Sequence, residues 1–371
     1  MKDMEEVEFL RRLVGIYSPS NHEAEISDFI YDHLKGAVGF SGVKRDDVAN
    51  VIARVKEGRP MVYLFGHMDT VEGNLPASMD ERYIRGRGAV DAKGPLGALV
   101  YGARNALDAG VKCGITLAAL VDEEGMNRGI KRFIETRDEP DFAIFGEPSG
   151  VNQVAIGYKG RLLIRVDVES RPYHAASPWL GSNSIDIAME TINSINGKLA
   201  DINRDAEGYF DKVTAVVTKF VAGDSLNRAP ALSQFFMDIR YPPGLSRSDI
   251  IDKLNLQGPN LKYEVMDLIE PTLTRPSNEL CRAFSRSIYK VTGSKGAFVK
   301  KTGTSDGNVF YSKYKVPLVA YGPGDSRLAH TDDEVLSIDE YMASIAVVKE
   351  TLIELGKITN IGPTLSHEIH P

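Results

Sequence analysis

No run of the sequence approaches the roughly 18 to 20 apolar residues that a membrane-spanning helix requires, so a membrane is not an expected partner. Lys and Arg nowhere gather into the basic stripe that neutralises phosphates, and the net charge is −7, so nucleic acid is not expected either. Cysteine is scarce: Cys113 and Cys281 stand in apolar surroundings without C-x-x-C spacing, which fits buried free thiols in a reducing compartment better than a disulfide. The opening stretch MKDMEEVEFLRRLVGIYSPS has the pattern of an amphipathic helix with acidic residues in its first turn, not the uninterrupted apolar core of a secretory signal. A cytoplasmic protein is the expectation. Internal repeats and low-complexity segments are also missing.

What is present is ample core material. Hydrophobic residues make up 43% and charged residues 26% of 371, more chain than one core usually supports, so two domains are expected. The first 150 or so residues alternate between helix-like stretches, around 2–16, 23–34, KGPLGALVYGARNALDAG and GIKRFIETR, and the apolar runs NVIARV, MVYLFG, GITLAALV and DFAIFG. That alternation predicts a layered α/β sheet domain. From about Lys159 the pattern changes to amphipathic strands, RLLIRVDVE, VTAVVTKFVAG and SQFFMDIRY, with helices predicted at 184–199 and 246–256. An α+β unit with one sheet and two helices on one face follows. After EPTLTRPSNEL the α/β pattern resumes, with a helix near 277–292, a strand at VPLVAYG and a last helix at 337–355, so the smaller unit is inserted into the larger. The ending PTLSHEIHP reads as a loosely ordered tail.

Metal-competent residues fall where strands run out. His67 and Asp69 follow the apolar run of LFGHMDT and point to the same side of an extended chain; Glu123 and Glu124 follow LAALVD, and Glu147 follows FAIFG. Asp91 in GRGAVDAKGP and His330 in LAHTDDE complete the set. Singly, each has an ordinary structural reading: His67 as a strand-end cap, Asp69 as the start of a turn, Asp91 as a helix cap, Glu123 and Glu124 as a solvated loop, His330 as a surface turn residue. Together, beside glycines that let backbone approach a site, they point to a centre for hard divalent ions, which take oxygen and imidazole ligands.

The blocks GHMDTV, GRGAVDAKGPLGA, VDEEG, GEPSG, GYKGRL, YHAASP, NRAP with DIRYPP, TGTSD and YGPGDSRLAHTDDE run in order from residue 66 to residue 334. In this the chain resembles the M20 family of co-catalytic zinc aminoacylases and peptidases. The resemblance implies an α/β zinc-peptidase catalytic domain, a mixed central sheet flanked by helices, over 1–158 and 273–371, with an inserted α+β lid or dimerisation domain over 159–272. It implies two divalent metal ions, Zn²⁺ foremost with Co²⁺ and Mn²⁺ compatible, His67 and Glu147 holding one, Glu124 and His330 the other, and Asp91 bridging both. It further implies that Asp69 keeps His67 in the right tautomer and that Glu123 is the general base. His174 of YHAASP would stabilise the oxyanion, and Asn227 and Arg240 would contact substrate polar groups or its carboxylate.

Within the family, IGYKGRL and KTGTSDGN are similar to the hydrolases that release lysine or ornithine from an acidic amino-group carrier protein. That resemblance implies cleavage of the amide between the amino acid and the γ-carboxyl of the carrier's C-terminal glutamate, by a homodimer. It sets Lys300, Lys301, Thr304, Ser305 and Asp306 near the substrate mouth. Lys300, Lys301 and Arg275 would meet an acidic carrier tail, and Asp306 or Glu279 the released amine. The alternative is a deacylase of small N-acyl-amino acids such as acetylornithine, acetyllysine or succinyl-diaminopimelate.

Overall fold

The computed structural model describes residues 2–36 and 40–359; the segment PTLSHEIHP lies outside them. The chain divides into two compact units, one comprising Met1–Gly157, Leu273–Lys300 and the chain from Ser305 on, the other Tyr158–Thr272 with Lys301–Thr304.

In the first unit the apolar runs become strands of a mixed sheet. Four neighbours, Gly114–Leu120, Met61–His67, Phe142–Gly146 and Leu318–Ala320, run parallel, and Val51–Lys56 joins Gly114–Leu120 antiparallel. Both faces of this sheet are covered, which is why its strands read as continuous apolar runs. Val62 and Leu64 point into the core that also holds Leu96, Leu99, Val347 and Val348, whereas Tyr63 and Phe65 point the other way. On that second face Phe65 meets Phe133 at 4.9 Å edge-on, stacks on Phe145 at 4.8 Å and touches Phe310 at 5.1 Å between ring centres. Helices Arg128–Glu135 and Asp306–Tyr314 supply Phe133 and Phe310, and the neighbouring strand Phe142–Gly146 supplies Phe145. Helices Lys93–Asp108, Glu279–Thr292 and Ile338–Leu355 cover the first face. Cys113 and Cys281 are buried free thiols.

In the second unit the amphipathic strands form a four-stranded antiparallel sheet in the order Thr214–Ala222, Leu232–Tyr241, Gly160–Glu169, Leu261–Ile269. Leu162, Ile164 and Val166 lie opposite Ile239, Met237 and Phe235. They form one buried face with Ala188, Ile195 and Leu199 of helix Ser184–Ile202 and Ile250 and Leu254 of helix Arg247–Leu254. The expected architecture, a mixed α/β sheet flanked by helices with an inserted α+β unit of one sheet and two helices, is the one found. The sequence reading overlooked the strand Leu261–Ile269, the strand Ala297–Lys301, the helix Asp306–Tyr314, and a small sheet of Val335–Ser337, Tyr83–Arg85 and Ser78–Met79.

Glycine allows helix Lys93–Asp108 to lie against Ile338–Leu355, because a Cβ on Gly102 would collide with the side chain of Val348. An unhindered Gly-to-Ala change inside a helix stabilises by about 0.5–1 kcal/mol. At this contact the sign reverses: Gly102→Ala is expected to lower stability by about 1–3 kcal/mol through overpacking. Denaturant unfolding checks it, and a raised midpoint would contradict the packing described.

Candidate metal centre

The parallel strands deliver their C-terminal ends to one place, the position at which ligands collect in open α/β sheets. His67 is the last residue of its strand, Glu147 directly follows Gly146, and Glu123 and Glu124 follow Leu120 by a short turn in which Asp122 takes a left-handed φ of 62°. Asp91 precedes helix Lys93–Asp108 without capping it; Ala92 occupies the cap position, and no side chain caps the helix there. A Cβ on Gly66 would stand 2.9 Å from Cδ1 and 3.1 Å from Cα of Leu96, so glycine lets the His67 strand lie against the start of the Asp91 helix.

Asp91 stands between the two imidazoles. Its Oδ1 is 3.4 Å from His67 Nε2 and its Oδ2 is 3.3 Å from His330 Nε2, which also lies 2.8 Å from Glu124 Oε1. One potential ligand atom each from His67, Asp91 and Glu124 fall within 4.8 Å of one another. His67 is 2% exposed, and its Nε2 has no hydrogen-bond partner. A buried imidazole nitrogen left unpartnered and turned toward carboxylates fits a metal ligand. Glu147, Glu123, His67 and Asp306 line one small pocket floored by Phe65 and Phe145.

Asp69 meets the expected imidazole, chiefly through its backbone. The His67 Nδ1 contact at 3.0 Å is to the backbone carbonyl of Asp69, with the carboxylate at 3.5 Å. With Nδ1–H donating to that carbonyl, Nε2 is the nitrogen left for a metal ion, which would take the place of its proton. The fully buried carboxylate instead accepts from Ser20 Oγ at 2.7 Å and from the backbone N–H groups of Glu123 and Glu124, each at 3.1 Å. It therefore orients the segment that carries the acids.

The electrostatics follow from crowding anions in a dry place. Burial pushes the Glu123 carboxyl well up, and the charge of Glu147 adds to it. Glu147 is raised to about 8 chiefly by burial. Burial would also raise Asp91, yet its contacts with His330 and His67 outweigh it and hold Asp91 below the usual carboxylate range. His67 is the mirror case: burial depresses it, but Asp69 and Asp91 together raise it well above the usual histidine value. His330, at the exposed rim, is raised to about 10 by its contacts with Asp91 and Glu124. In the protein alone the imidazolium charges thus take the place a cation would fill.

Asp306 is the residue whose surroundings sequence reasoning did not foresee. A loop carboxylate there was expected to meet a released amine, but Asp306 opens a helix, is 2% exposed and joins the acid cluster. Its Oδ1 accepts from Asn127 Nδ2 at 3.0 Å and its Oδ2 has no partner, while burial lifts its carboxyl to about 7. The available signal was a capping box: Ser305 Oγ accepts from the Gly307 N–H, and Asn308 Oδ1 accepts from the Ser305 N–H. The Ser305 hydroxyl is accordingly occupied with the helix end. Glu279, also considered for the amine, pairs with Arg282 on an exposed helix turn.

His174, Asn227, Arg240 and Thr304 belong to the second unit. His174 pairs with Arg228 in an isolated bridge, and its Nδ1 accepts from the Ala176 N–H at 3.1 Å. The neighbouring Asn227 carbonyl accepts from Ala175. Arg240 lies in a ladder of charges on the sheet face away from the helices, bonding Asp238 at 2.6 Å and Thr304 Oγ1 at 3.2 Å.

A profile of peptidase family M20/M25/M40 matches residues 63–354, and the chain belongs to that family. It is therefore an amide-cleaving hydrolase. Its relatives include a [LysW]-lysine/[LysW]-ornithine hydrolase of Saccharolobus solfataricus, 30% identical over 94% of this chain and 95% of that protein. A Pyrococcus furiosus protein provisionally given the same name is 36% identical over 95% of this chain and 98% of its own. Among solved structures, the aminopeptidase PepT of Bacillus cereus superposes with a TM-score of 0.81 over 96% of this chain and 99% of that one, at 21% identity, which establishes a shared fold.

The raised His330 pKa carries a sign. A folded-state value of about 10 against an ordinary 6.5 contributes stability that is complete below about pH 6.5 and is lost as pH rises through 10. Chelator-treated protein is expected to lose thermal stability over that window, and His330→Ala to flatten the loss. An unchanged slope in the variant would contradict the contacts with Asp91 and Glu124.

Proposed function

We propose that the chain is a two-metal hydrolase that frees lysine or ornithine from a carrier protein by cleaving the amide to the γ-carboxyl of the carrier's C-terminal glutamate. The observation that carries the chemistry is Asp91, one oxygen turned to each imidazole, with Glu124 beside His330 and Glu147 beside His67 in the same cluster. Nearly full-length similarity to relatives named for [LysW]-lysine and [LysW]-ornithine hydrolysis supports the substrate.

His67 and Glu147 would hold one ion, Glu124 and His330 the other, with Asp91 bridging; Zn²⁺ suits this donor set, as do Co²⁺ and Mn²⁺. Such ions supply the Lewis acidity that makes a water nucleophilic near neutral pH. Glu123, half-buried beside the ligands but outside the ligand set, takes the proton from the attacking water and returns it to the leaving amine. A carboxylate in that place, ionised before attack, can accept the proton from water and pass it to the amine. His174 is assigned the stabilisation of the developing oxyanion, and Asn227, Arg240 and Thr304 contacts with the substrate. The exposed Val216, Phe220 and Val221 of the edge strand Thr214–Ala222 support a homodimer, and the buried free cysteines a cytoplasmic setting.

Metal-loaded protein supplied in parallel with a carrier ending in γ-glutamyl-lysine, the ornithine equivalent, N-acetyllysine, N-acetylornithine and succinyl-diaminopimelate should release amino acid fastest from the carriers. Faster turnover of a free acyl-amino acid would replace the proposal with a small-molecule deacylase. Glu123→Gln is expected to keep both metal ions and lose about 10²- to 10⁴-fold in kcat. Near-normal turnover by that variant would refute the assigned base.

A further inference from the structure

A buried ion pair behind the candidate ligands belongs to no role assigned so far. Arg87 and Glu334 have side chains 7% and 1% exposed and meet at 3.1 Å through Nη1 and Oε2. The small sheet brings them together: Val335 registers opposite Arg85, and the pairing continues one step further as the Gly86 N–H donates to the Glu334 carbonyl.

Apart from a bond to the Gly73 carbonyl and a contact with the Asp332 side chain, the remaining bonds of the pair run to backbone at or beside a ligand-bearing position. Glu334 Oε1 accepts from the N–H groups of Val90 and Asp91, both at 2.9 Å, and Oε2 accepts from the Gly88 N–H at 3.0 Å. Arg87 Nη1 donates to the Thr331 carbonyl at 2.8 Å, its Nε to the Gly73 carbonyl at 3.1 Å, and its Nη2 lies 3.4 Å from Asp332. The carboxylate thus grips the chain at Asp91 while its own residue closes the loop that begins at His330. The guanidinium grips the residue directly after His330. Breaking such a pair by removing one partner leaves a charge uncompensated, so the arrangement resists drift of either loop.

We infer that Arg87 and Glu334 are positioning residues that set the distance between Asp91 and His330 and thereby the affinity for the ion those two ligands share. Neither side chain is a ligand in the proposed set; each acts through backbone that carries one. Outer partners of metal ligands typically change affinity by about 10- to 100-fold when replaced. The inference rests on the metal reading given above, and the experiment separates the two.

Zinc is titrated calorimetrically into chelator-treated wild type, Glu334→Gln and Arg87→Lys, with the melting temperature of each metal-free protein measured alongside. Glu334→Gln keeps the side-chain shape but turns an NH₂ toward backbone donors; Arg87→Lys keeps the charge but loses the fork. Wild type should bind two ions. Both variants should bind one ion about as wild type does and the other about 10- to 100-fold more weakly, by more than any shift in melting explains. Two ions bound at wild-type affinity in a variant whose melting temperature has dropped would show a purely structural pair and overturn the inference. If Glu334→Gln does not fold, Arg87→Lys alone decides between the same results. Wild type that binds no zinc would defeat the metal reading itself.

Discussion

The organising constraint is a surplus of negative charge in a place with little water. Asp91, Glu123, Glu124, Glu147 and Asp306 converge on two imidazoles at the ends of parallel strands, and Asp69 lies buried just behind them. Such a cluster is costly unless positive charge meets it. In the protein alone the neighbouring carboxylates favour the protonated forms of His67 and His330, and burial favours the neutral forms of Glu123 and Glu147. Divalent ions would meet the same demand more fully, displacing the imidazole protons and leaving the carboxylates ionised. The neighbouring structure serves to hold this arrangement: the stacked rings of Phe65 and Phe145 line the pocket, and Asp69 ties down the turn that presents Glu123 and Glu124.

Much of the fold could be read from pattern. The runs MVYLFG, GITLAALV and DFAIFG are apolar at successive positions because both sheet faces are covered, and they became the parallel core. The inserted unit announced itself by a change to alternating strands, since its sheet is covered on one face only. Leu261–Ile269 escaped notice because its outer position leaves it partly exposed throughout, which blurs the alternation. Asp306–Tyr314 escaped for another reason: it is a short helix of ordinary residues whose chief signal is a capping box closed by asparagine.

The candidate site was readable as a set of residues but not as a geometry. His67, Asp91, Glu124 and His330 converge, yet nothing in the spacing told that Asp69 would offer its backbone carbonyl to the imidazole and its carboxylate to the acids' backbone. Nor could the pairing of Arg87 with Glu334 be foreseen, because it depends on the register of a small sheet joining segments far apart in the chain. Asp306 was read as a loop carboxylate near the substrate mouth, and the helix it opens was not foreseen. Helix formation after Ser305 turned it inward instead.

The central proposal is that Asp91 would bridge two ions, and X-ray absorption at the zinc edge tests it most directly. Protein loaded with zinc should bind two ions and show a metal–metal scattering contribution at about 3.5–4 Å. That contribution should vanish in Asp91→Asn or fall with the loss of one ion. A single bound zinc, or two without metal–metal scattering in the wild type, would contradict the account.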